Sequence, residues 1–261
     1  MSSEAQPTIT LYRAFQEKGI YVWSPFVTKL EARLRFGGLS YTAGVGSPRG
    51  APKGKIPYID FRADNNAETE VIADTTLITK TLCERGVLAD LNAALSPVAR
   101  AHDLALRALL EEKLVFYVGW ERWTQNYYTM RDHVLWPIPW PIRVLVGLLA
   151  YRGNVATFHG QGTGRLTADE IDTFRLEIWS SFADLLLDSK TKSQDKAGPF
   201  WVLGGAQPTE ADASLFGMLS SSLISTASPK SQADVKSFPV LLDYARRVHE
   251  RYFPDYEALL M

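Results

Sequence analysis

Two short segments of this 261-residue chain carry the residues best suited to hold a small ligand: Gly54-Lys55-Ile56-Pro57-Tyr58-Ile59-Asp60 and Val71-Ile72-Ala73-Asp74-Thr75-Thr76-Leu77-Ile78. Ile56-Pro57 stands between a lysine-bearing turn and a short apolar strand. An X-Pro bond adopts cis far more readily than other peptide bonds, and in that setting it would expose the backbone of residue 56. Asp74-Thr75 reads as a helix start, whose first amides lack intrahelical partners and attract carboxylate, while the Asp74 side chain can hold an ammonium. One end of a small anionic peptide, bearing both an α-amino and an α-carboxyl group, would be satisfied there. Other chemistries find little support. The single cysteine, Cys83, excludes an intramolecular disulfide or CxxC centre, and the four scattered histidines have no metal-ligand spacing.

The elements that must position these segments follow from periodicity and punctuation. Ile9 to Ala14 reads as a strand closed by the Gln16-Glu17-Lys18-Gly19 turn. Ser24-Pro25 has the form of an N-cap with proline at the first helical position, and Phe26, Leu30, Leu34 and Phe36 follow at helical spacing, which predicts a helix over 25–36. Gly37-Gly38 ends it. Strands are predicted at Tyr41 to Val45, Tyr58 to Arg62 and, after the Ala63-Asp64-Asn65-Asn66 turn, Glu68 to Ile72; a helix is predicted from Thr75 to Glu84.

Beyond Gly86 the pattern is helical only. Ser96-Pro97 caps a segment reaching Asn126, Thr167-Ala168-Asp169-Glu170 is a capping box opening a helix through Leu187, Thr209-Glu210-Ala211-Asp212 opens another, and Phe238-Pro239 precedes an amphipathic helix to about Tyr252. Val134 to Tyr151 is apolar, but Pro137, Pro139, Pro141 and Arg143 break the run that a membrane span requires. It reads instead as a buried bend followed by a core helix. The fold class is α/β plus all-α, with a small domain over 1–87 and a helical domain over 95–261. Lysine plus arginine (28) nearly balances aspartate plus glutamate (29), so no global field draws the chain to nucleic acid or anionic lipid. The polar residues 1–7 lack a signal-peptide pattern, and the expected location is cytoplasmic.

A β-α-β unit followed by β-β-α, with a proline before the third strand and an all-helical domain after it, resembles the cytosolic glutathione transferase fold: a thioredoxin-like N-terminal domain and a helical C-terminal domain. Pro52-x-Gly54-Lys55-Ile56-Pro57 resembles the segment before that family's cis-proline, and Ile72-Ala73-Asp74-Thr75 its acidic-hydroxyl pair. Phe200-Trp201-Val202-Leu203-Gly204-Gly205 with Pro208-Thr209-x-Ala211-Asp212 and Phe216-Gly217 is similar to the helical domain's folding motif. Within the superfamily, Ser24-Pro25-Phe26-x-x-Lys29-x-Glu31-x-x-Leu34-Arg35, Arg122-Trp123 and Gln161-Gly162-x-Gly164-Arg165-x-x-x-x-Glu170-Ile171 resemble the failed-axon-connections and metaxin-like branch.

The resemblance implies glutathione as cosubstrate, bound extended against the backbone of Ile56 and shaped by Pro57. Its γ-glutamyl end would lie at Asp74-Thr75 and its glycine carboxylate at Lys53 or Lys55. It places the thiol near Ser24, with Tyr21 and Tyr12 as rival hydroxyls. Serine rather than cysteine at 24 favours thiolate addition, or thiol-assisted isomerisation, over disulfide exchange. Trp120, Trp123 and Tyr127, with Tyr128, Trp136 and Trp140 nearby, would line a pocket for an apolar electrophile. Plainer readings stand beside these: Ser24 and Asp74 as helix caps, the lysines as solvated turn residues, the tryptophans as core. The expected function is a glutathione transferase-like enzyme acting on an apolar small molecule, with a homodimer implied. The alternatives are a non-catalytic metaxin-like interaction module and an apolar-ligand carrier.

Overall fold

The structure, a computed structural model, describes residues 7–15, 19–64 and 67–259. Its first elements are β1 (Thr8–Tyr12), α1 (Pro25–Phe36), β2 (Thr42–Gly44), β3 (Tyr58–Arg62), β4 (Glu70–Ala73) and α2 (Thr75–Glu84). The strands form one mixed sheet in the order β2-β1-β3-β4, with only β1 and β2 parallel. Register pairs Tyr12 with Tyr58 and Tyr58 with Ala73. The end of β1, the start of β3 and the end of β4 therefore share one end of the sheet. Pro57, Asp74 and the loop running to Ser24 all leave from it.

The alternation of β-strands explains the packing. Ile9 and Leu11, Ile59 and Phe61, and Ile72 meet Val27, Leu30 and Leu34 of α1 and Ile78 and Leu82 of α2 in one core. Each such side chain contributes roughly 1.5–3 kcal/mol by leaving water. β1 ends two residues earlier than predicted because the chain turns out of the sheet, with Ala14 at φ 74°. The predicted Gln16-Glu17-Lys18 part of the first turn, and Asn65-Asn66, lie outside the described residues.

The helical region comprises α3 (Pro97–Leu109), α4 (Val115–Trp120), α5 (Tyr127–Val134), α6 (Trp140–Gln161), α7 (Ala168–Lys192), α8 (Glu210–Ile224), α9 (Pro229–Lys236) and α10 (Pro239–Tyr252). π segments at Leu110–Leu114 and Glu121–Gln125 flank α4, so the helix predicted to run to Asn126 is one rod with two widened turns. Both predicted capping boxes form. Thr167 accepts from the Glu170 amide, and buried Asp212 accepts from the amides of Thr209 (2.8 Å) and Val202 (2.9 Å).

α1 is the seam between the two parts. Its polar positions, which an amphipathic reading leaves in water, are buried: Lys29 pairs with Glu111 at 2.7 Å, Arg33 with Glu210 at 2.5 Å, and Glu31 with Arg13 at 3.0 Å. Tyr256, near the C-terminus, also donates to Glu31 at 2.7 Å. The helical region thus grips the sheet domain by the Lys29 and Arg33 ion pairs and the Tyr256 hydrogen bond along one helix rather than by an apolar face alone.

The expected buried bend and core helix at 134–151 is corrected. Trp136 and Trp140 are 59% and 68% exposed, and Ile142, Leu145 and Leu149 also face outward. Only Gly147 and Phe158 of α6 are buried. Gly147 lies so close to Arg131 and Tyr127 that α6 touches its neighbours along a narrow line. Apolar composition marks a preference for leaving water, and here the packing does not fulfil it. No described helix is long and apolar enough to cross a membrane.

Candidate active site

Ser24 is the N-cap of α1, extended at φ −80° and ψ 115°, but its side chain makes no capping hydrogen bond. Pro25 follows and brings no amide of its own. The hydroxyl at the head of this helix is therefore uncommitted, and the plain cap reading of Ser24 does not hold. Pro25 is also why the helix starts here: its fixed φ suits the first turn, where its missing N–H costs nothing.

The Ile56-Pro57 bond is cis, and the backbone of Ile56 enters neither the sheet ladder nor any described turn. Pro57 is buried, whereas Lys53 and Lys55 are exposed on the preceding turn. Asp74 carries the helix start at φ 80°, ψ 122°, a left-handed conformation costly for a non-glycine residue. One of its carboxylate oxygens, Oδ1, accepts from the amides of Thr76 (3.0 Å) and Leu77 (3.1 Å). This corrects the expectation of several free amides at α2. Asp74 satisfies two of them itself, leaving the Thr75 amide and its own Oδ2 for a ligand.

The rival hydroxyls are taken. Tyr21 is buried and shares a 2.8 Å hydrogen bond with His249 Nδ1, its ring packed among Phe216, Phe253 and Tyr256. Burial pushes its phenol far above the ordinary tyrosine value. Tyr12 donates to Asp60 at 2.7 Å and stacks on Tyr58; that hydrogen bond, with burial, pushes it up to about 12. Neither is disposed to share a proton with a thiolate, so the catalytic expectation for Tyr21 is set aside.

A cavity of about 280 Å³ opens beside the β1–α1 loop, lined by Phe15, Ile20, Tyr21, Val22, Trp23, His133 and Trp136. Trp23 stacks flat on His133 at 3.5 Å. Burial and the nearby Arg122 cation hold the His133 imidazole down at about 4, hence neutral at physiological pH. The walls are aromatic and include Trp136 of the expected set, joined by Phe15, Tyr21 and Trp23 rather than by the other expected aromatics. Trp120 packs against the helical core, Tyr127 packs against Tyr128 and Tyr151, and neither they nor Trp123 line this cavity. Phe15 and Trp23 escape the sequence reading because the loop before α1 shows no periodicity, and His133 because its place in the wall depends on how α5 packs against that loop. A larger cavity, 560 Å³, lies at the other end of α1 among Arg35, Tyr41 and Asp255 and includes none of the predicted site residues.

A four-stranded mixed sheet with a cis-proline at the head of β3, gripped along α1 by a helical domain, is the glutathione transferase architecture. Residues 25–130 match the family model for the glutathione S-transferase N-terminal domain. The chain is 28% identical over 261 residues to an isoprene-epoxide–glutathione S-transferase of Rhodococcus sp. (strain AD45), covering 94% of this chain and 99% of that one. Among solved structures it is similar to the beta-etherase LigF of Sphingobium sp. strain SYK-6 (TM-score 0.59, 14% identity, 94% and 96% of the two chains). It is similar too to a glutathione transferase family member of Pseudomonas fluorescens Pf-5 solved with two glutathione bound (TM-score 0.53, 16% identity, 94% and 92%). Together these likenesses show the glutathione transferase fold.

Proposed function

We propose that the protein is a glutathione-dependent transferase that activates the glutathione thiol for addition to, or isomerisation of, an apolar electrophilic small molecule. The observation that carries the reading is the uncommitted Ser24 hydroxyl at the head of α1, one residue from an apolar cavity. The similar Rhodococcus and Pseudomonas proteins, named for glutathione chemistry and solved with glutathione, support the cosubstrate.

The residues present fit that ligand. Ile56 offers unpaired backbone for an added strand, Asp74 Oδ2 offers an acceptor for an ammonium, the Thr75 amide faces a carboxylate, and Lys53 or Lys55 offers a cation for the far carboxylate. Glutathione supplies the nucleophilic sulfur. A thiol ordinarily ionises near 8.5, and bringing it to about 6.5 requires about 2.7 kcal/mol of preferential stabilisation of the thiolate. A hydrogen bond donated by Ser24 to the thiolate contributes about 1.5–3 kcal/mol, and the amino end of α1 about 0.3–1 kcal/mol. The sum suffices without a general base. Because the cavity is walled by Phe15, Trp23 and Trp136, the second substrate is small and apolar.

The motifs spanning Ser24 to Arg35 and Gln161 to Ile171 favour the failed-axon-connections and metaxin-like branch; Gly162, at φ 110°, turns the chain from α6 toward the capping box within the second of them. A cytoplasmic location and a homodimer complete the reading, checked by cell fractionation and light scattering. Isothermal titration with glutathione tests its core: saturable heat is expected, and no heat with no thermal shift at millimolar ligand would remove it.

A further inference from the structure

We propose that Arg122 and Ser221 are positioning residues for the Ser24 hydroxyl, acting from the helical domain on the peptide carbonyl that precedes it; this rests on the functional reading above. Arg122 Nη1 donates to the Trp23 carbonyl at 2.8 Å, and the Ser221 hydroxyl donates to the same oxygen at 2.6 Å. The remaining donors of Arg122 hold the clamp itself: Nη2 reaches the Ser221 carbonyl and hydroxyl, both at 2.9 Å, and Nε the Ser228 hydroxyl at 3.1 Å.

The peptide unit is planar, so fixing the Trp23 oxygen fixes the plane that ends at the Ser24 Cα. The other side of Ser24 is braced as well. Gly217 lies against the Pro25 carbonyl, where an added Cβ would approach to 2.3 Å. Gly217 and Ser221 are four residues apart on α8 and so share a face. That face therefore holds the carbonyls on both sides of Ser24.

A plain structural role leaves the chemistry of the clamp unexplained. Arg122 is fully buried, yet every acceptor it reaches is neutral: the adjacent Glu121 carboxylate is engaged by the Lys230 and Ser231 amides and the Ser231 hydroxyl. Burial lowers the guanidinium to about 10, so it stays charged at neutral pH. Glu121 attracts this cation without bonding to it, so the buried guanidinium is held by neutral acceptors, the Trp23 carbonyl foremost among those near Ser24. Its field is felt at His133, which stacks on Trp23. The same field favours an anion formed beside Ser24. Arg122 also sits in a π segment, the kind of widened turn that re-aims a side chain.

The test is a cycle of Ser221→Ala, Arg122→Lys and Ser24→Ala, singly and in pairs, read by the pH profile of conjugation to a generic epoxide and by calorimetric glutathione affinity. Ser221→Ala and Arg122→Lys are each expected to lower kcat by roughly ten- to a hundredfold, to raise the apparent thiol pKa of the rate profile, and to leave glutathione Kd within roughly threefold. Combined with Ser24→Ala, neither should add a comparable further loss, because both act through that hydroxyl. Wild-type rates and profiles in both single variants, or losses that multiply with Ser24→Ala, would overturn the proposal. Ser221→Ala removes only a hydroxyl, so it answers the question even if Arg122→Lys folds poorly. A wild-type protein that binds no glutathione would instead overturn the functional reading and this inference with it.

Discussion

Adding a single methyl group at Gly217 separates positioning from binding. In Gly217→Ala the new Cβ would stand 2.3 Å from the Pro25 carbonyl oxygen and 2.9 Å from the Lys29 amide nitrogen. Both are backbone atoms, so no side chain can swing aside. Restoring ordinary contact, which begins at 3.4 Å, requires α1 to retreat by about 1 Å. Overpacking of this kind costs about 1–3 kcal/mol, and a loss of about 2 kcal/mol lowers Tm by about 4–8 °C in a chain of this size. The same displacement moves Ser24, and misplacing a catalytic group by about 1 Å can cost roughly a hundredfold in rate. Ile56 and Asp74 lie outside α1 and α8, so the added methyl touches neither. Thermal denaturation, steady-state conjugation and glutathione calorimetry on one preparation should therefore show a lower Tm, a kcat reduced by roughly ten- to a hundredfold and little change in glutathione Kd. A variant with wild-type Tm and kcat would refute the close approach of α8 to the head of α1. One that loses glutathione affinity while keeping kcat would refute the separation of binding from positioning.

Further expectations concern single side chains. Asp212→Ala strips acceptors from the buried Val202 and Thr209 amides and from the Tyr244 hydroxyl, and should destabilise the protein by about 2–5 kcal/mol in a urea titration, with unchanged stability counting against the box as a structural lock. His133 is depressed from 6.5 to about 4, so its contribution is intact above pH 6.5 and is lost as pH falls through about 4; His133→Phe should therefore lose less stability than wild type between pH 7 and pH 4. Parallel stability curves for the two proteins would contradict that assignment. Lys53→Ala combined with Lys55→Ala should weaken glutathione binding by up to about tenfold at low salt and by less at high salt, because both lysines are exposed; a salt-independent effect would remove them from the carboxylate site.

Punctuation residues made much of this architecture readable in the sequence. Ser24-Pro25 and Thr75 to Glu84 gave helix boundaries that the structure reproduces, because proline at the first helical position and an Asp N-cap act locally. The cis-proline and the acidic helix start were legible for the same reason. Features that depend on distant partners were not. Lys29, Glu31 and Arg33 look like a solvated helix face until Glu111, Arg13 and Glu210 close over them. The committed state of Tyr21 depends on His249, over two hundred residues away in the chain. The apolar run over 134–151 reads as a buried bend and core helix because hydropathy reports a preference and not a partner. The tryptophan-rich helix is where composition places the cavity wall, whereas Phe15 and Trp23 flank α1 from a loop, and the Trp23 carbonyl is held by Arg122 and Ser221.

The central claim is that Ser24 turns bound glutathione into a thiolate, and an ultraviolet difference titration of the glutathione complex reads that ionisation directly. Wild-type protein should show the bound thiol ionising about 2 units below its free value of about 8.5, with Ser24→Ala returning it upward by roughly 1–2 units while glutathione still binds. A bound thiol that ionises at the free value in the wild type, or identically in Ser24→Ala, would contradict the account.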